Sequence, residues 1–241
     1  MDEKLLKPYD PKETESRIYK LWEKSGFFNP DVCIEKGIIK SNAEPFSIVL
    51  PPPNVTGNLH TGHALMLVIE DIMTRYARMQ GKKTLWLPGT DHAAIATQSK
   101  VEKLLEKEGI RKNDIGREEF LKRVEKYAKD SHDIIVNQAK TMGASLDWSR
   151  EAFTLDEKRN LAVKTAFKQM YDDGLIYRGN RMVNWDPKGQ TVISDDEIIY
   201  EEKKGKFYTF KYGPFKIGTA RPETKFGDKY VVMHPDDKRY K

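Results

Sequence analysis

Between Phe46 and Leu87 the chain reads as strand, stiff loop, helix and strand, and no other stretch narrows the possible folds as far. FSIVL, Phe46 to Leu50, is a short β-rich apolar run that stops against three prolines, as a buried strand ending in a loop does. From Thr61 the spacing of Leu65, Val68, Ile69, Ile72, Met73 and Tyr76 predicts a helix with those residues on one face, closed by Gly81. TLWL, Thr84 to Leu87, then predicts a second buried strand. Two strands joined through a helix must run parallel and cross over right-handedly, so the fold class is α/β. The loops leaving the strands, PPPNVTGNLH and PGTDHAAIATQ, must emerge at one sheet edge. Open parallel sheets bind ligands outside the carboxyl ends of their strands, so two unusual loops there predict one shared site.

The rest of the chain divides by pattern. Ile18, Leu21 and Trp22 mark a short helix over 14–24 that stops at Gly26. A further helix ends near Gly109, and Gly116 to Asp173 reads as a charged helical layer broken by the turn GASLDWS. After Asn184, NWDPKGQTVISDDE is loop-like, and FYTFKY, FKIGTA and KYVVM alternate as strands of a β-rich region do.

Composition excludes some functions. One cysteine, Cys33, in 241 residues leaves neither a disulfide framework nor a cysteine-built zinc site, and reads as a small, partly buried residue. MDEKLLKPYD lacks an apolar signal core, and no apolar run approaches the roughly 20 residues of a membrane span, so a soluble, cytoplasmic protein is expected. The net charge of +5 suits polyanions such as ATP or RNA, although solvated helix faces alone would account for most of the lysines.

His60, Gly62 and His63 carry the chemistry. They fall at a helix start, where unpaired N–H groups and the positive dipole end favour a phosphate. Two imidazoles on one face of the first turn can donate to phosphate oxygens, and Gly62 lets a flat base approach the backbone. Such an arrangement stabilises charge at an attacked α-phosphate without a covalent intermediate. The same two histidines could instead be a surface pair or half of a metal site, although no third ligand lies nearby in sequence.

The element H-x-G-H resembles the signature of the class I aminoacyl-tRNA synthetases, and PPPNVTG resembles its form in the valine-specific branch. Likeness runs on through YDPKETESRIYKLWEKSGFF, WLPGTDHAAIATQ, GASLDWSREAFTLDEKR, NWDPKGQTVISDDE and GTARPETKFGD with HPDD, covering nearly the whole chain. The resemblance implies the first half of a Rossmann-like parallel-sheet catalytic domain over 1–200, then the start of a β-rich editing domain over 201–241. It implies activation of L-valine by ATP, with Mg²⁺, to valyl-adenylate and transfer to tRNA(Val). His60, Gly62 and His63 would bind ATP, with the histidines catalytic. Pro52 and Asn54 would line the amino-acid pocket, and Asp91 would hold the α-ammonium. An Asp before His92 is also a common helix N-cap, and the two roles are compatible.

GTARPET resembles the editing strand that removes mischarged threonine, which implies editing roles for Thr219, Arg221, Glu223 and Thr224. On residues alone, ARPET reads as a hairpin edge with an ordinary Arg–Glu pair. An apolar valine pocket rejects isosteric threonine by only about 10², which is why editing is needed.

Some positions depart from the family's pattern. Thr61 stands where methionine or isoleucine is more usual, Ala94 replaces a frequent glycine, and Asp186 and Gly189 stand where some relatives have a cysteine pair, so no zinc is expected. The second signature, KMSKS, is absent from the sequence. The chain therefore reads as an N-terminal piece of a longer, monomeric enzyme, with little activity alone. The alternatives are a stand-alone ATP- or RNA-binding module without catalysis and a small H-x-G-H nucleotidylyltransferase.

Overall fold

The computed structural model describes residues 8–240, so the stretch MDEKLLK read above for the absence of a signal core lies outside the described residues. The chain divides between Tyr177 and Arg178 into two compact units.

In the first unit, helix α1 (Pro11–Ser25) starts where the Asp10 carboxylate accepts from Lys12 N–H at 2.8 Å and stops at Gly26, whose φ of 74° a side chain would resist. A short helix α2 (Pro30–Glu35) follows. Strand β1 (Pro45–Val49) lies parallel to β2 (Lys83–Leu87), with Phe46 opposite Thr84 and Ile48 opposite Trp86, and helix α3 (Thr61–Met79) connects them. This is the expected parallel α/β unit. Beyond it β3 (Gly89–Thr90) pairs in parallel with β4 (Ala152–Phe153). Helices α4 (Ala94–Lys107) and α5 (Lys112–Thr141, bent at Gly116) pack against each other through Val101, Leu105 and Phe120. Helix α6 (Glu157–Asp172) follows β4 and buries no residue. The main core joins Leu50, Leu67, Trp86, Ala139, Ala144 and Leu146. Cys33, on α2, is a buried free thiol, its pKa raised by burial. No helix among the described residues is long and apolar enough to cross a membrane.

One reading of this unit is corrected, that β1 is a buried strand, and one is completed, which face of α3 turns inward. Helix α3 turns Leu67, Thr74 and Ala77 inward, while Leu65, Val68, Ile69, Ile72, Met73 and Tyr76 are exposed, Ile72 to 61%. Polar anchors decide the orientation. Glu70 accepts from Trp86 Nε1 at 2.9 Å, Asp71 accepts from Ser145 N–H at 2.9 Å, and Arg75 and Arg78 each donate to a carbonyl, of Gly143 and of Ser145, at 2.8 Å. Each of these groups would be costly to bury unpaired, so their partners hold the mixed face against the core. Strand β1 is only half buried, exposing alternate residues such as Val49, because its sheet has two strands.

In the second unit, β5 (Asn184–Asp186) and β6 (Thr191–Ile193) form one antiparallel hairpin, and β7 (Tyr208–Tyr212) and β8 (Phe215–Thr219) another. The loop expected at NWDPKGQTVI is thus a hairpin: the Asp186 carboxylate turns the chain by accepting from Lys188 and Gly189 N–H at 3.0 and 3.1 Å. Conversely, KYVVM is not a strand, for no other segment pairs with it among the described residues.

Candidate functional site

Beyond β1 the three prolines offer no N–H, so the chain cannot continue the ladder there. Leu50 N–H still donates to the Leu87 carbonyl at 3.0 Å, and pairing resumes past the prolines. Val55 N–H donates to the Asp91 carbonyl at 2.8 Å and Asp91 N–H to the Pro53 carbonyl at 2.9 Å, a parallel bridge between Asn54 and Asp91. Pro53 and Val55 face inward, whereas Pro52 and Asn54 are exposed beside the half-buried Asp91. Helix α5 holds the same loop twice: Tyr127 Oη donates to the Thr56 carbonyl at 3.0 Å, and Gln138 Oε1 accepts from Leu59 N–H at 2.8 Å. The structure therefore brings Asp91 against the segment that holds Pro52 and Asn54, in the loop that leads into α3.

That start is built from the histidine pair itself. His60 is the N-cap: its Nδ1 accepts from Gly62 N–H at 3.1 Å, while His63 Nδ1 accepts from His60 N–H at 3.2 Å. Two of the helix's unpaired donors are thereby satisfied reciprocally. Because each Nδ1 accepts, the neutral rings carry their proton on Nε2, which leaves two N–H donors on rings whose centroids are 3.8 Å apart. Burial and the neighbouring His60 lower the His63 pKa, so near neutrality it is a donor without charge. Gly62 has a reason independent of any ligand: a Cβ there would lie 2.9 Å from His60 Cε1 and push the ring off its cap.

Asp91 caps as well. Its Oδ1 accepts from Ala93 N–H at 2.8 Å and receives the Thr154 hydroxyl at 3.4 Å. This bends the chain into α4 through left-handed backbone at Ala93 (φ 52°) and Ala94 (φ 35°), conformations that cost an alanine about 1 kcal/mol or more. His92 is pinned from β4's side, its N–H donating to Thr154 Oγ1 at 2.9 Å and its Nδ1 lying 2.5 Å from the same oxygen. His92 also lines a cavity of about 490 Å³ between α4 and α5, together with Thr97, Val124, His132 and Phe153. In its wall, His132 bonds Asp133 at 3.0 Å and Glu151 at 2.8 Å. Burial opposes its protonation, but the two carboxylates outweigh it and raise its pKa.

In the second unit, Thr219 ends β8, and Arg221, Glu223 and Thr224 lie in the helical turn that follows. Thr219 Oγ1 accepts from Arg221 N–H at 3.1 Å, the Arg221 guanidinium meets Glu223 Oε1 at 2.9 Å, and the Thr224 hydroxyl donates to the Arg221 carbonyl at 2.8 Å. The Arg–Glu pair keeps the Glu223 carboxyl below its usual range. Reading the sequence missed Tyr127, Gln138 and Thr154, each of which acts on a loop 62 to 79 residues away and so leaves no local periodic signal.

Comparison with known proteins follows this geometry. The family profile described as tRNA synthetases class I (I, L, M and V) matches residues 17–233. The chain is 50% identical over 245 residues to a valine–tRNA ligase of Clostridium acetobutylicum, covering 99% of this chain and 27% of that protein. It is 52% identical over 233 residues to the chloroplastic/mitochondrial valine–tRNA ligase 2 of Arabidopsis thaliana, covering 94% and 23%, and 49% identical over 243 residues to that of Thermus thermophilus, covering 98% and 27%. It thus spans about a quarter of the length of these relatives. Among solved structures, a ternary complex of Agrobacterium radiobacter K84 agnB2 LeuRS with tRNA and LeuAMS superposes with a TM-score of 0.55 at 24% identity, covering 73% of this chain and 21% of that one. That likeness is one of fold, and it agrees with the Rossmann-like α/β reading.

Proposed function

The chain belongs to the class I tRNA synthetases of the I, L, M and V group, and from that premise we propose that it carries the ATP- and valine-binding part of a valine–tRNA ligase. The observation behind this is the pair of backbone bonds between Pro53, Val55 and Asp91, which ties Asp91 to the loop of Pro52 and Asn54 that leads into the His60–His63 helix start. In this reading Asp91 Oδ2, which takes part in none of the hydrogen bonds above, receives the α-ammonium of valine. Pro52 and Asn54 wall the side chain, and the stiff prolines keep that wall in place. The Nε2–H donors of His60 and His63 meet the α-phosphate of ATP. They stabilise the charge that grows when the valine carboxylate attacks, giving valyl-adenylate and pyrophosphate. Gly62 and the open first turn of α3 seat the nucleotide. Among the described residues no cluster of three or more His, Cys, Asp or Glu fits a metal ion, so Mg²⁺ is assigned to the ATP it accompanies.

The whole enzyme would pass the valyl group to tRNA(Val) in the cytoplasm as a monomer, and this chain alone would show little exchange. We place the end of the synthetic part at residue 200 and the start of a β-rich editing domain at 201, with Thr219, Arg221, Glu223 and Thr224 acting on mischarged threonine.

The deciding experiment is amino-acid-dependent ATP–pyrophosphate exchange by the full-length gene product containing these residues. Exchange with valine and not with isoleucine or leucine is expected; the opposite preference would end the valine assignment.

A further inference from the structure

Asp91 does not hold its carboxylate alone. One oxygen, Oδ1, is taken by Ala93 N–H at 2.8 Å and approached by the Thr154 hydroxyl at 3.4 Å, with His92 Nδ1 also 3.4 Å away. Thr154 in turn carries both donors of His92, the backbone N–H at 2.9 Å and Nδ1 at 2.5 Å. A hydroxyl has two lone pairs and one proton. All its contacts are satisfied in one arrangement only: His92 N–H and Nδ1–H both donate to Oγ1, and the hydroxyl proton goes to Asp91 Oδ1. With the proton aimed at His92 Nδ1 instead, the carboxylate keeps only Ala93 N–H and loses its second donor.

Thr154 is itself anchored. Its N–H donates to the Thr90 carbonyl at 3.2 Å, directly after the β3–β4 pairing, so the hydroxyl is presented from the sheet rather than from a free loop. The need for such an anchor is visible in the backbone it faces, since Ala93 and Ala94 both sit in the left-handed region. A strained turn persists only where its surroundings hold it.

We propose that Thr154 is a positioning residue for amino-acid recognition: its hydroxyl locks Asp91 and His92 as one unit, so that Asp91 Oδ2 stays free and fixed to receive the substrate's ammonium. This rests on the valine–ATP reading above and adds to it a residue that touches no substrate. Displacing the carboxylate weakens capture of the amine before it affects attack on the phosphate, so the effect falls on the KM for the amino acid.

The test is Thr154→Val, which keeps the β-branched shape and removes the hydroxyl, beside Thr154→Ser, which restores it. In the full-length gene product, Thr154→Val should raise the KM for valine about tenfold or more while kcat and the KM for ATP move less than about threefold, and Thr154→Ser should return the KM to within about threefold. A ring ¹⁵N spectrum of the 241-residue chain should show His92 protonated at Nδ1 and losing that preference in Thr154→Val. Thr154→Ala, measured in parallel, covers the case in which valine at this position unfolds the chain. An unchanged valine KM in Thr154→Val, or a serine variant as impaired as the valine one, overturns the positioning role. Absence of valine-dependent exchange in the unsubstituted protein overturns the function reading, and this inference with it.

Discussion

The two compact units are built on different terms. Every fully buried residue among those described lies between Tyr19 and Asp147, in the first unit, while the second has none. The first unit uses its core to aim side chains, as where Trp86 is buried completely and bonds Glu70 on α3. The second keeps its turn after β8 in shape with exposed pairs such as Arg221–Glu223, whose partners are 76% and 61% accessible. Exposed pairs of that kind contribute about 0–1 kcal/mol each, against 3–5 kcal/mol for a large buried side chain. Residues proposed to bind ATP and valine thus stand on a packed scaffold, and those proposed for editing stand on local hydrogen bonds.

The sharpest test of that contrast compares two tryptophans. Trp86→Ala should destabilise the chain by about 3–5 kcal/mol in denaturant unfolding, whereas Trp185→Ala, on β5, should stay within about 1 kcal/mol. Equal losses would show that the second unit has a core after all.

Next in size is a test of chemistry against packing. Asparagine at position 63 can still accept from His60 N–H through its amide oxygen, but it lacks the Nε2–H. His63→Asn should therefore lower valine-dependent exchange by about 10²–10³ with its melting temperature little changed. Glu223→Gln in the second unit should leave exchange intact and slow only the hydrolysis of threonine-charged tRNA. If Glu223→Gln reduced exchange as much, the division of labour would fail.

A smaller gain is expected at Ala94. Glycine accepts the φ of 35° without a Cβ clash, so Ala94→Gly should stabilise by about 0.5–1 kcal/mol in thermal unfolding. A loss would mean that the turn is not strained.

The smallest effect is on pH dependence. The raised pKa of His132 gives stability that is full below the unfolded value of 6.5 and lost as pH rises through the folded one. The lowered pKa of His63 gives the reverse, stability present above 6.5 and lost as pH falls. Melting temperature should peak near pH 6.5, with His132→Gln flattening the alkaline limb and His63→Asn the acid one. Limbs that stay unchanged in these variants would assign the titration to other groups.

Much of the first unit was legible beforehand. The parallel strands, the helix between them, both loops at one edge and the glycine stop of α1 all follow from local pattern, because each depends on residues close in the chain. Less was legible in the second unit, where short hairpins with no buried side carry a weak alternation: β5 and β6 looked like loop, and KYVVM looked like strand. Hydropathy also could not tell which side of α3 turns inward, since it has no means of counting the partners that Glu70, Asp71, Arg75 and Arg78 find far along the chain.

From the order of its residues alone, this chain is committed to an α/β unit with a proline-stiffened loop and two histidines at a helix start, since period, turn chemistry and helix-end electrostatics are local. Tertiary structure alone decided which face of α3 is buried and that Tyr127, Gln138 and Thr154 hold the loops. Those outcomes depend on hydrogen bonds closed between distant segments, and a distant partner becomes visible only once the chain has folded.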